Sequence, residues 1–221
     1  MNGYKLMLLH GAGGSPAKWR RLSPKLEEYD VQAADLSQGD TIQKKSAALS
    51  VDTSTVLIGH SMGSLCALEA SGIQQPAAVI IVAGHPELPV HEHVLKKLKE
   101  GTYPAGLFHA SYGKKVDAEL LEEEKTDTYG GSPQQAYIDF KACADYRNGW
   151  NRLDQLKAPI LFVYGSEDRL LPEQAVEKVR GVKPQADVKV IEESGHYVML
   201  EKPEETAEAI LSWLEERKEH L

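Results

Sequence analysis

The chain has 221 residues, 42% hydrophobic and 26% charged, with 25 Lys and Arg against 33 Asp and Glu for a net charge of −8. This is a globular composition, long enough for one domain whose core needs neither disulfide nor structural metal. The acidic balance, with no basic cluster beyond Lys96, Lys97 and Lys99, excludes an electrostatic grip on nucleic acid.

In chain order, the apolar run 5–9 predicts a buried strand. It leads directly into His10-Gly11 and not into a small-residue cleavage site, so no export segment is expected. Residues 17–29 carry a helical pattern. Residues 55–58 then predict a second buried strand, 61–71 a helix and 78–83 a third strand. The longest apolar stretch, 77–83, is far shorter than the roughly 20 residues of a membrane span.

From 85 to 150 the alternation stops. Charge runs at 96–100 and 119–125, punctuated by Pro86, Pro89, Pro104, Gly130-Gly131 and Pro133, predict several short helices and no strand. Alternation resumes with a strand at 160–164, a helix at 173–179, a strand at 187–191 and an amphipathic helix at 203–217 whose Ala207, Ile210, Leu211 and Leu214 share one face. Continuously apolar strands between helices predict an α/β fold: a mostly parallel sheet covered on both faces, built from 1–84 and 151–221, with 85–150 as an inserted helical cap.

The string Gly59-His60-Ser61-Met62-Gly63 joins the 55–58 strand to the 61–71 helix. A serine on such a turn is held in a strained conformation that small flanking residues permit, and its hydroxyl is exposed above the sheet edge. To act as a nucleophile it needs a base and a group to orient that base. Asp168 follows the 160–164 strand and His196, in Ser194-Gly195-His196, follows the next one, so both loops leave strand carboxyl ends on the edge that carries Ser61. Rival acids are Glu167 beside Asp168 and Glu87 after the 78–83 strand; length and register favour Asp168.

Four motifs in this order, Leu9-His10-Gly11-Ala12-Gly13-Gly14-Ser15 with Trp19, then 59–63, 165–172 and Gly195-His196, make the chain resemble the α/β-hydrolase fold superfamily, serine esterases and lipases among them. One departure is that the His10-Gly11 loop follows the first strand here and the third in relatives, which implies a sheet trimmed at its N-terminus. The resemblance implies an oxyanion hole from the backbone N–H groups of Ala12 and Met62, no cofactor, no metal and a small-molecule acyl substrate. It also admits a lyase or synthase using the same triad for proton transfer, as in menaquinone synthesis, or a noncatalytic receptor.

The remaining polar and aromatic residues divide by position. Trp19 and His85 are candidates to line the pocket, as are Phe108, Tyr112, Tyr137 and Phe140 of the cap, which holds five of nine tyrosines and two of three phenylalanines. His10 and His60 are expected to brace loops. His91-Glu92-His93 lacks the spacing of four that a helical zinc pair requires and is read as solvated surface. Cys66 and Cys143 are too few for a disulfide framework, which fits a cytoplasmic protein. The sequence fixes no oligomeric state.

Overall fold

A computed structural model describes residues 3–219, apart from the side chain of Tyr129. Six strands, β1 (Lys5–Leu9), β2 (Asp30–Ala34), β3 (Thr55–His60), β4 (Ala78–Val82), β5 (Ile160–Gly165) and β6 (Asp187–Ile191), form one sheet in the order β2-β1-β3-β4-β5-β6. All five pairings are parallel. β1 lies next to one edge; the chain steps outward to β2 at that edge, then returns to add β3 to β6 on the other side, which is the strand-order reversal that opens a crevice at the carboxyl edge.

Alternation along each central strand divides the core into two layers. Leu6, Leu8, Val56, Ile58, Ile80, Val82, Leu161 and Val163 face one side, where Trp19, Leu22, Leu26, Ile210, Trp213 and Leu214 cover them. Met7, Leu9, Leu57, Val79, Ile81 and Phe162 face the other, beneath α1 (Ile42–Ala47), α2 (Met62–Ser71), α7 (Gly149–Gln155) and α8 (Ala175–Val182). Helix α2 is buried from Met62 to Ala70, and its apolar residues therefore occur all round it instead of along one stripe.

Between β4 and β5 the chain forms α3 (Glu92–Lys99), α4 (Ala105–Ala110), α5 (Ala118–Gly130), α6 (Pro133–Asp145) and α7. After β6 come the short α9 (Val198–Glu201) and α10 (Pro203–Glu215). Among the described residues no helix is long and apolar enough to cross a membrane.

Several elements differ from the sequence reading, which predicts neither α1 nor α9. The expected helix over 17–29 is instead two 3-10 turns, Pro16–Trp19 and Ser23–Leu26. Pro24 cannot donate to a continuing ladder and its ring clashes with the preceding turn, so the pattern breaks there. Strand β2 was not anticipated: Asp-Val-Gln-Ala-Ala on an exposed sheet edge carries little apolar signal.

Candidate active site

The turn after β3 is shaped by two close backbone approaches. A Cβ on Gly59 would lie 2.3 Å from the Gly63 carbonyl oxygen, and one on Gly63 would lie 2.2 Å from that of Leu9. With both flanks bare, α2 starts immediately beside β1 and β3, and Ser61 is forced to φ 51°, ψ −115°. A non-glycine residue there is strained, and the packed backbone around it holds the strain. The Ser61 amide is anchored by donating to the Val82 carbonyl at 3.2 Å.

His196 follows β6. Its Nδ1 donates to Asp168 Oδ2 at 2.8 Å, while Asp168 Oδ1 accepts the Leu170 amide at 2.9 Å. The Asp168 side chain is 1% exposed and that of His196 is 7% exposed, so the bond is shielded from water. With Nδ1 committed, Nε2 of the neutral ring keeps its lone pair. Of the rival acids, Glu167 accepts the Lys114 amide at 2.6 Å, and Glu87 is exposed beside Trp150.

The histidine loop is braced from three directions. His60 Nε2 donates to the His196 carbonyl at 3.0 Å, the His196 amide donates to Ser111 of the insert, and Glu201 accepts from the Gly113 and Gly195 amides. Burial, with His196 alongside, holds the His60 pKa well below the usual imidazole value, so the ring stays neutral with its proton on Nε2. Burial pushes the Glu201 carboxyl up, against the two amides that favour its charge. His10 accepts the Leu36 amide at Nε2 and bonds the Gly11 carbonyl through Nδ1, which fixes the exit of β1.

The first loop passes directly beside the serine. A Cβ on Gly11 would come within 2.8 Å of His60 Nδ1 and 3.2 Å of Ser61 Cβ. Among the described residues neither the Ala12 nor the Met62 amide N–H has an acceptor, and Met62 is the first residue of α2, where amides have no intrahelical partner. A cavity of about 290 Å³ lies above this edge, walled by Gly11, Ala12, His60, Ser61, His196 and Tyr197 below and by Val90, Val94, Leu107 and Phe140 of the insert above.

Of the six residues expected to line the pocket, only Phe140 does so among the described residues. Trp19 is fully buried in the layer that covers Leu6, Leu8 and Ile58, edge-on to His60. His85 is buried, bonded to Glu87 backbone and edge-on to Trp150. Tyr112 stacks on Tyr197 and donates its hydroxyl to Glu124 at 2.9 Å; Phe108 packs beside it, and half-buried Tyr137 stands outside the cavity wall. Trp19 is core of the sheet layer, and Phe108 and Tyr112 are core where the insert meets Tyr197.

The wall itself comes from residues without motif character. Leu88, Val90 and Val94 follow the β4 exit, and Arg169, Leu170 and Tyr197 are immediate neighbours of the acid and the histidine, a proximity that could have marked them. His91, read as surface from the sequence, is exposed and also borders the cavity. Cys143 lies on the wall too, but burial pushes its thiol well up, as it pushes Cys66 up to about 12, so neither supplies a thiolate. Among the described residues no group of three or more His, Cys, Asp or Glu could hold a metal ion.

The alpha/beta hydrolase family model matches residues 6–209, and the chain belongs to that family. It is 26% identical to "Uncharacterized hydrolase YugF" of Bacillus subtilis (strain 168), over 95% of this chain and 89% of that one. It is 24% identical to the 2-hydroxy-6-oxo-6-(2'-aminophenyl)hexa-2,4-dienoic acid hydrolase of Metapseudomonas resinovorans, over 97% and 85%. Among solved structures, a thermophilic esterase from Thermogutta terrifontis superposes with a TM-score of 0.83 at 20% identity, covering 97% of this chain and 90% of the esterase. That likeness speaks for the fold.

Proposed function

We propose that the protein is a serine hydrolase that cleaves a carboxylic ester or related acyl compound through an acyl-enzyme on Ser61. The observation that carries this reading is the shielded His196–Asp168 hydrogen bond on the same cavity wall as a strained Ser61. Ser61 Oγ attacks the acyl carbon as His196 Nε2 takes its proton. Asp168 holds the imidazole tautomer and stabilises the imidazolium that forms. The oxyanion is met by the N–H groups of Ala12 and Met62, which have no acceptor among the described residues. The imidazolium then gives its proton to the leaving alkoxide, and a water activated by the same histidine releases the acid and restores Ser61. No step calls for a cofactor or metal.

Residues 85–150 act as a cap that sets substrate choice, since Val90, Val94, Leu107 and Phe140 give the cavity an apolar upper wall. The space suits a small apolar acyl or alcohol group. Two buried free cysteines fit a reducing, cytoplasmic setting.

The test is a panel of nitrophenyl esters, thioesters, lactones and amides turned over by wild type and by Ser61→Ala. Wild type is expected to hydrolyse at least one short ester, and Ser61→Ala to lose about three orders of magnitude or more of that rate with its melting temperature unchanged. Retention of wild-type turnover by purified Ser61→Ala would refute the nucleophile. Covalent labelling of Ser61 without turnover of any acyl compound would favour a lyase or a receptor.

A further inference from the structure

The first loop is held from outside the sheet. Gly13 donates its amide to Asp139 Oδ2 at 3.0 Å, and Asp139 belongs to α6 of the insert, 126 residues further along the chain. The carboxylate is 1% exposed. Its other oxygen accepts Lys45 Nζ at 2.7 Å and Gln135 Nε2 at 3.0 Å, and Lys45, also buried, donates to the Leu36 carbonyl at 2.6 Å. The contact is tight, because a Cβ on Gly13, whose φ is +67°, would lie 3.0 Å from Ala136 Cβ of the same helix.

A buried ion pair is a poor way to gain stability, since apolar residues of the same volume commonly do as well. What a carboxylate supplies and an apolar side chain cannot is an acceptor that holds the Gly13 amide in one direction. That amide belongs to the peptide immediately after Ala12. We propose that Asp139, held in place by Lys45, is a positioning residue: by fixing the Ala12–Gly13 peptide plane it limits rotation at Ala12, whose own N–H belongs to the preceding peptide, and so keeps that N–H aimed at the developing oxyanion. This rests on the role given to Ala12 above. The cap then contributes to the chemical step as well as to the pocket wall, and an insert displaced from the sheet would leave a hole with one aimed donor.

The test compares two charge-balanced variants. Lys45→Met/Asp139→Asn keeps an oxygen for the Gly13 amide; Lys45→Met/Asp139→Leu removes it. On a nitrophenyl ester the Asn variant should keep kcat within about threefold of wild type, while the Leu variant loses at least about tenfold in kcat with KM nearly unchanged. Inactivation of Ser61 by an activated phosphonate should slow in parallel, and the two variants should melt within a few degrees of each other. Equal kcat in the Leu variant and wild type, or equal losses in both variants, overturns the proposal. A reading independent of any variant is amide exchange of Gly13, expected at least about a hundredfold slower than an unstructured amide; free exchange also overturns it. Full activity of Ser61→Ala would instead remove the catalytic reading on which this rests, whereas an inert Ser61→Ala beside a fully active Leu variant removes the role of Asp139 alone.

Discussion

The sheet packs against its covering helices through apolar area, Leu6 and Ile58 into one layer and Leu9 and Ile81 into the other, whereas the insert adds buried charge to the apolar contacts of Ala142, Cys143 and Tyr146. Glu124 of α5, fully buried, accepts from Lys18 at 2.6 Å, Arg20 at 2.7 Å and the Tyr112 hydroxyl at 2.9 Å. Lys45 and Asp139 join α1 to α6, and Glu69 of α2 gathers Arg152, Tyr146 and Asn148 from the return to the sheet. Apolar packing tolerates small repacking and fails when volume is forced in. Paired buried charges tolerate joint replacement and fail when one partner is left alone. The region that carries Ser61 and the region that covers it should therefore break in different ways.

The largest effect is expected at the sheet. Gly63→Ala drives a methyl group to 2.2 Å from the Leu9 carbonyl, where β1 and α2 are both backbone in the core. Neither can move without the other, so destabilisation of more than about 4 kcal/mol is expected, read as loss of soluble folded protein or of the urea transition. A stable, active Gly63→Ala would mean that α2 can retreat from β1.

Next comes the insert. Glu124→Leu strands the Tyr112 hydroxyl and leaves Lys18 to the more exposed Asp127 and Arg20 to Glu123, and urea unfolding should show a loss of about 1–3 kcal/mol. Lys18→Met/Glu124→Leu should recover most of it, because the buried cation goes with its partner. Failure of the double variant to recover would show that Glu124 matters to the insert through packing and not through charge.

A smaller effect follows pH. Burial lowers the pKa values of His10, His60 and His85 from the ordinary 6.5. The unfolded chain takes up protons near 6.5 while the folded one resists, so stability is full above that pH and declines below it until the folded-state values are reached. The slope is at most about 1.4 kcal/mol per pH unit for each histidine. Urea midpoints should fall between pH 7 and pH 5, and His60→Gln, which keeps a donor for the His196 carbonyl, should flatten the fall. An unchanged slope would place the buried titration elsewhere.

The same contrast governs what could be read from the sequence. Strands β1, β3, β4 and β5 announce themselves because both faces are buried and nearly every residue is apolar; Ser61 and Asp168 stand out because they follow such strands, and His196 because it follows the more alternating β6, all in loops on one edge. Edge strand β2 has no such run. Asp139 looks like the polar face of an ordinary helix, since nothing local distinguishes a carboxylate paired with Lys45, 94 positions away, from one facing water. The aromatics of the insert misled for a related reason. Tyr112 and Phe108 serve the junction, while plain Val90 and Leu107 wall the cavity, and composition cannot tell a small core from a pocket lining.

The central claim, that Ser61 is activated by His196 inside a covered cavity, is tested most directly by mapping the adduct of an activated phosphonate by mass spectrometry. One adduct per chain is expected, on the peptide bearing Ser61, with labelling slowed at least about a hundredfold in His196→Ala. An adduct on Ser111 or Cys143, which share the cavity, or labelling of Ser61 at an undiminished rate in His196→Ala, would contradict it.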